Sequence, residues 1–168
     1  MASARRGLRV ATTAQRAPDE PRLGHPGGLT TPKETILQGG RAKAYRPLPP
    51  AELRAALETG LDAYRHGDWF LAHELLEPAW MGTRDLAERE LIQGVIKLAA
   101  AFVHGARSNP AGTEKNLRGA RDRVANGLAA GPRLGIDAEV LLASIDRWLA
   151  GSGAPAGDQG TAIEIPRT

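Results

Sequence analysis

From Pro49 to Leu149 the apolar residues of this chain recur at helical spacing, and no stretch shows convincing two-residue alternation. That property confines the middle of the chain to helices packed on one another, because amphipathic helices bury their stripes only against a partner. Five helices are predicted. The first starts at Pro49-Pro50, with Leu53, Leu57, Gly60, Leu61 and Tyr64 inward and Arg54, Glu58, Asp62 and Arg65 outward. Gly67 ends it and Asp68 caps the second, Trp69 to about Trp80, with Pro78 disturbing its last turn and Gly82 closing it. The third, about Asp85 to Arg107, carries Leu91, Val95, Leu98 and Phe102 inward and stops at Ser108-Asn109-Pro110. The fourth, about Gly112 to Leu128, buries Leu117, Ala120, Val124 and Leu128. After a break at Gly131-Pro132, Asp137 caps a fifth carrying Leu141, Ile145, Trp148 and Leu149. Short links between them argue for antiparallel neighbours in a compact all-α bundle.

The flanks read differently. Residues 1–48 and 151–168 are rich in Gly, Pro, Thr and Arg and carry no apolar period, so both are expected to be disordered tails around a helical domain at 49–150. Charge is divided along the same lines. The first 48 residues hold nine Lys and Arg against three Asp and Glu, whereas residues 49–150 hold twelve against fourteen. The basic character therefore belongs to the N-terminal tail. Nine scattered cations with almost no aromatics are a poor nucleic-acid footprint, so nucleic acid is not the expected partner. A protein partner or a second copy of the chain is left open. Zero cysteines exclude disulfides and thiolate metal sites and fit a reducing, cytoplasmic setting. The longest apolar run, Leu91 to Val103, is too short to span a bilayer and is interrupted by Gln93 and Lys97, so no membrane association is expected.

One segment stands out chemically. The second helix is apolar nearly all round, which would make it central in its domain, yet His73 and Glu77 sit beside Trp80 within one sector flanked by Trp69 and Phe70. Ionisable groups on such a face cost several kcal/mol, roughly, unless paired, hydrogen-bonded or used. His73 and Glu77 are spaced to meet at i, i+4. In the third helix Gln93, Lys97 and His104 fall on one polar stripe; Lys97 reads as solvated, while Gln93 and His104 could face the second helix. Imidazole and carboxylate make His73, Glu77 and His104 the metal candidates, but the His-Glu-x-x-His and Glu-x-x-His spacings are both absent. No phosphate-cradling Gly loop, nucleophile elbow or Cys pair is present, and no cofactor or catalytic residue is assigned.

The pattern Tyr64-x-x-Gly67-Asp68-Trp69-Phe70-x-Ala72-His73-Glu74-x-Leu76-Glu77-x-x-Trp80 resembles the family catalogued as domain of unknown function 309. Leu91-Ile92-Gln93-Gly94-Val95-Ile96-x-Leu98-Ala99, then His104 and Asn109, and later Leu134-Gly135-Ile136-Asp137, continue the resemblance over about residues 53–149. It implies a small all-helical bundle, mostly bacterial and plastid, without an established activity. It marks His73, Glu74, Glu77, Trp80, Gln93, Gly94, His104 and Asn109. Pro78 and Lys97 depart from the family's usual residues, Lys97 putting a cation where Gln or an apolar residue is more common.

Two functional readings follow. In one, the cluster of His73, Glu74, Glu77, Gln93, His104 and Asn109, supported by Trp69 and Trp80, binds a small ligand or metal, with His73 or His104 as proton carrier and Glu77 orienting it. In the other the chain is a non-enzymatic protein-interaction module, and the cluster is a hydrogen-bonded lock.

Overall fold

In the computed structural model, which describes residues 34–152 and 162–168, the helical pattern is realised as six α-helices: α1 Pro50–Arg65, α2 Trp69–Gly82, α3 Leu86–Ala106, α4 Pro110–Asn126, α5 Gly131–Leu134 and α6 Ala138–Arg147. The first four are joined by three-residue links, and each link ends on a residue whose side chain caps the next helix. Asp68, Asp85 and Asn109 accept from the backbone N–H of Leu71, Glu88 and Gly112 at 3.1, 3.0 and 2.9 Å, and Asp137 does the same for Val140 at 3.0 Å. Each cap satisfies an otherwise orphan donor and fixes where the chain turns.

The predicted stripes are the core: Leu57, Leu61, Tyr64, Leu91, Val95, Leu98, Phe102, Leu117, Ala120, Val124, Leu141 and Ile145 are all buried. Three details differ. Gly131-Pro132 does not simply break the chain; Pro132 sits in the first turn of α5, where its missing N–H is no loss. The fourth helix stops at Asn126, so Leu128 falls in a 3-10 turn and is only partly buried. Finally, α3 is the central helix, packing on both α2 and α4. In α2 only the line of Ala72, Leu76, Ala79 and Gly82 is buried, because α1 and α3 cover one side of it; Phe70 and Leu71 are 61% and 43% exposed.

Parts of both flanks also fold, where tails were expected. Thr35–Gln38 (β1) and Arg41–Ala44 (β2) form an antiparallel hairpin, with Gln38 opposite Arg41. Gly39 and Gly40 both take positive φ, the two-residue turn that suits the twist of a hairpin. Residues 162–168 lie against the bundle: Ile163 and Ile165 are buried, and Tyr64 Oη donates to the Ile163 carbonyl at 2.7 Å. Arg167 pairs with Glu58 at 2.7 Å, and Ile136 and Arg167 form an antiparallel bridge. The disorder expected for residues 1–33 and 153–161 lies outside the described residues.

Candidate functional site

Two polar assemblies meet at Gln93 on α3. The first is a clamp that the sequence did not announce. Gln38, only 3% exposed, reaches from the hairpin into the bundle and donates from Nε2 to Glu90 Oε1 at 2.8 Å and to Gln93 Oε1 at 3.0 Å. Its own Oε1 accepts from Trp80 Nε1 at 3.2 Å and from Arg89 Nε at 3.4 Å. Arg89, fully buried, uses its other nitrogens as a fork. Nη1 donates to the carbonyls of Trp80 and Thr83 at 2.8 and 3.2 Å, and Nη2 to that of Ala44 at 3.2 Å. Its guanidinium also lies over the Trp80 ring, 4.9 Å from the centroid.

Glu90 closes the clamp on the other side, where Arg123 Nη1 donates to both carboxylate oxygens at 2.6 and 2.7 Å and Asn126 adds a longer bond at 3.4 Å. Burial opposes ionisation of Glu90, but the bonds from Arg123, Gln38 and Asn126 outweigh it and hold the carboxyl below its ordinary range. Burial likewise depresses the proton affinity of Arg89, partly offset by Glu90. A guanidinium tolerates this because it remains charged at any physiological pH.

The second assembly is an open cleft of about 240 Å³ over α2, α3 and α4. His73, Glu77 and Trp80 come from α2, Gln93, Ile96, Lys97 and Ala100 from α3, and Asn116 from α4. The i, i+4 and i, i+7 relations of His73, Glu77 and Trp80, and of Gln93, Lys97 and Ala100, explain why each helix offers a continuous line to it. His73, Glu77, Trp80 and Gln93 thus line one cleft. His73, however, takes Glu74 rather than Glu77 as its nearest carboxylate, at 3.3 Å, with the imidazole partly buried and the carboxylate exposed. Lys97, expected to be solvated, is a half-buried wall of the cleft. Burial lowers its proton affinity, and the charges of Arg123, Lys115 and Lys43 lower it further.

His104 and Asn109 do not join this cleft. They build the α3–α4 corner, where the Asn109 amide nitrogen lies 3.1 Å from His104 Nδ1 while its oxygen caps α4. Gly112 leaves the room this needs: a Cβ there would come within 2.6 Å of His104 Nδ1. Helical periodicity puts His104 at the same angle as Gln93 but about 16 Å further along the axis. Nor does Trp69 support the cleft; its ring packs on Phe102, centroids 5.3 Å apart. With His104 removed, His73 and Glu77 are too few: among the described residues no three His, Asp or Glu side chains stand together as a metal site would require. No helix among them is long and apolar enough to cross a membrane.

Arg89, Glu90, Arg123 and Gln38 were missed by sequence reasoning. Arg89 lies three and seven residues before the core positions Ile92 and Ile96, a sign that its side chain points inward. The hairpin carried the signal Gly39-Gly40 between two short runs. A family model described as a domain of unknown function (DUF309) matches residues 57–116, which span most of α1, all of α2 and α3, and the first turns of α4. No curated protein and no solved structure matches the chain.

Proposed function

We propose, with the match of residues 57–116 to the DUF309 family model as premise, that the domain is a small-molecule-binding module whose ligand occupies the cleft between α2, α3 and α4. One observation carries this reading. An imidazole, a carboxylate, an ammonium and two carboxamides line one cleft beside an indole, and Glu77 and Lys97 both line it without an ion pair within 4.0 Å between them. Surface groups free to choose would pair or turn to water; here they border about 240 Å³ of space, below the roughly 300 Å³ at which drug-sized pockets begin, so the ligand it suits is a small one. Gln93 has its oxygen engaged by Gln38, which leaves its amide N–H groups for a ligand, and Asn116 donates to Gly112, which leaves its oxygen. His73 and Glu77 offer an imidazole and a carboxylate to whatever binds. With zero cysteines the setting that fits is the cytoplasm.

Native mass spectrometry of the full chain tests the reading together with NMR of the Trp80 indole N–H and the Gln93 side-chain amide during titration with a small-molecule panel. A retained or titrating molecule that shifts both signals, and is lost in Glu77→Ala, is expected. No retained mass and no shift with any member of the panel would overturn it.

The alternative, an interaction module with a structural lock, draws support from the closed network at Gln38, whose members satisfy one another. The lock and the cleft use different residues apart from Gln93 and Trp80. Gln38→Ala should therefore lower stability, whereas His73→Ala should leave stability nearly unchanged and alter only binding.

A further inference from the structure

The cleft's charge decides what kind of molecule it can hold. Lys97 crosses from α3 to α4 over Gly119: a Cβ at Gly119 would lie 3.1 Å from Lys97 Cδ and 3.2 Å from both Cε and Nζ. The absence of a side chain at Gly119 is what lets the ammonium lie there at the rim of the cleft, and it makes no ion pair among the described residues. Of its charged neighbours, Arg123 is already neutralised by Glu90, while Lys43 from the hairpin and Lys115 from α4 add uncompensated positive charge. Against these stands one carboxylate in the cleft wall, Glu77.

We propose that the ligand is a small oxyanion-bearing molecule, a carboxylate or a phosphate, whose anionic group sits against Lys97, with the Gln93 amide as a neutral donor to it. The inference rests on the cleft being a ligand site, and adds the chemical class. An ammonium half-buried over Gly119 without an ion pair, with Lys43 and Lys115 as unneutralised cationic neighbours, is short of negative charge, which an oxyanion supplies. Glu77 restricts what else the ligand carries: a group facing it must donate a hydrogen bond, because a second anion there would be repelled.

Titration of the full chain with inorganic phosphate and with succinate, at ionic strength held constant with chloride, tests this through the Trp80 indole and Gln93 amide signals. Glycerol and ethylammonium serve as neutral and cationic probes. Saturable shifts with phosphate or succinate are expected, weakened about tenfold in Lys97→Met and restored largely in Lys97→Arg. Gly119→Ala keeps the charge but pushes the Lys97 tip aside, so it should also weaken binding, while Lys115→Gln should change it by no more than about twofold. If Lys97→Met does not fold, Gly119→Ala against Lys115→Gln carries the same contrast. Equal losses in those two variants would mean diffuse surface charge and overturn the proposal. So would shifts with glycerol or ethylammonium but not with the anions, an outcome that leaves the cleft standing as a ligand site. Silence with all four probes would overturn both.

Discussion

Arg89 shows how much of this domain rests on single side chains placed where composition gives little warning. It is buried without a carboxylate of its own, and its charge is dispersed over the carbonyls of Trp80, Thr83 and Ala44 and the oxygen of Gln38. Replacing it with Met keeps the bulk but takes the guanidinium donors from one buried carbonyl, that of Thr83, and two part-buried ones, those of Trp80 and Ala44, at about 1 kcal/mol each. Arg89→Met is expected to lower the unfolding free energy by about 3 kcal/mol in urea titration. Lys should not rescue it, since one ammonium cannot reproduce the planar fork. Glu90 makes a different prediction. Its folded carboxyl titrates below the unfolded value of about 4.3, so the stabilisation it provides is complete above that pH and lost as pH falls through the depressed folded value. Wild-type stability should therefore drop on the acid side of about pH 4.3, and Glu90→Gln should flatten that limb while costing stability at pH 7. At the α3–α4 corner, Asn109→Ala removes the α4 cap and should cost about 1 kcal/mol, without effect on cleft binding.

Among the elements, the helices were legible and the segments around them were not, for a physical reason. A helix advertises its buried face locally, every three or four residues, so α1, α3 and α4 were placed from their own stripes. The hairpin and the segment 162–168 have no such period, because each is held by a few long-range contacts: Gln38 to Glu90 across 52 residues, Tyr64 to Ile163 across 99. The same limit explains the mixed outcome at the candidate site. Periodicity fixed the angle of Gln93, Lys97 and His104 but not which neighbour stands at each height, so Gln93 borders the cleft with α2, Lys97 lies over Gly119 of α4, and His104 meets the start of α4. The role of the C-terminal segment can be measured at its anchor. Tyr64→Phe deletes the donor to a buried carbonyl and should cost about 1–2 kcal/mol. Hydrogen exchange should quicken at the Asp137 amide, which donates to Pro166 in the same segment, more than at amides in the middle of α3.

At the scale of the molecule, α3 ties the clamp to the cleft: Glu90 and Gln93, one turn apart, both hold the hairpin's Gln38, Gln93 also lines the cleft, and Glu90 is anchored to α4 through Arg123. That position is set at Gly94. A Cβ there would stand 2.7 Å from Val124 Cγ2, 3.1 Å from the Val124 amide nitrogen and 3.4 Å from the Ala120 carbonyl oxygen. The valine methyl could rotate away, but the backbone atoms could not, so Gly94→Ala must drive α3 and α4 apart by a few tenths of an ångström. Overpacking of this kind costs about 1–3 kcal/mol, more than the few tenths to 1 kcal/mol that alanine gains over glycine inside a helix. The net effect is destabilising. Arg123 precedes Val124, so the displacement also loosens the two bonds from its Nη1 that favour the ionised Glu90 carboxyl. Gly94→Ala is thus expected to do two things at once: lower the urea midpoint at pH 7, and flatten the acid limb of stability as the Glu90 carboxyl relaxes toward its ordinary value. Val124→Ala in the same chain should recover part of the first effect by making room, yet recover the second only if α4 returns to its original distance. A variant in which the pH 7 stability falls while the acid limb keeps its full depth would show that the clamp and the α3–α4 spacing are independent.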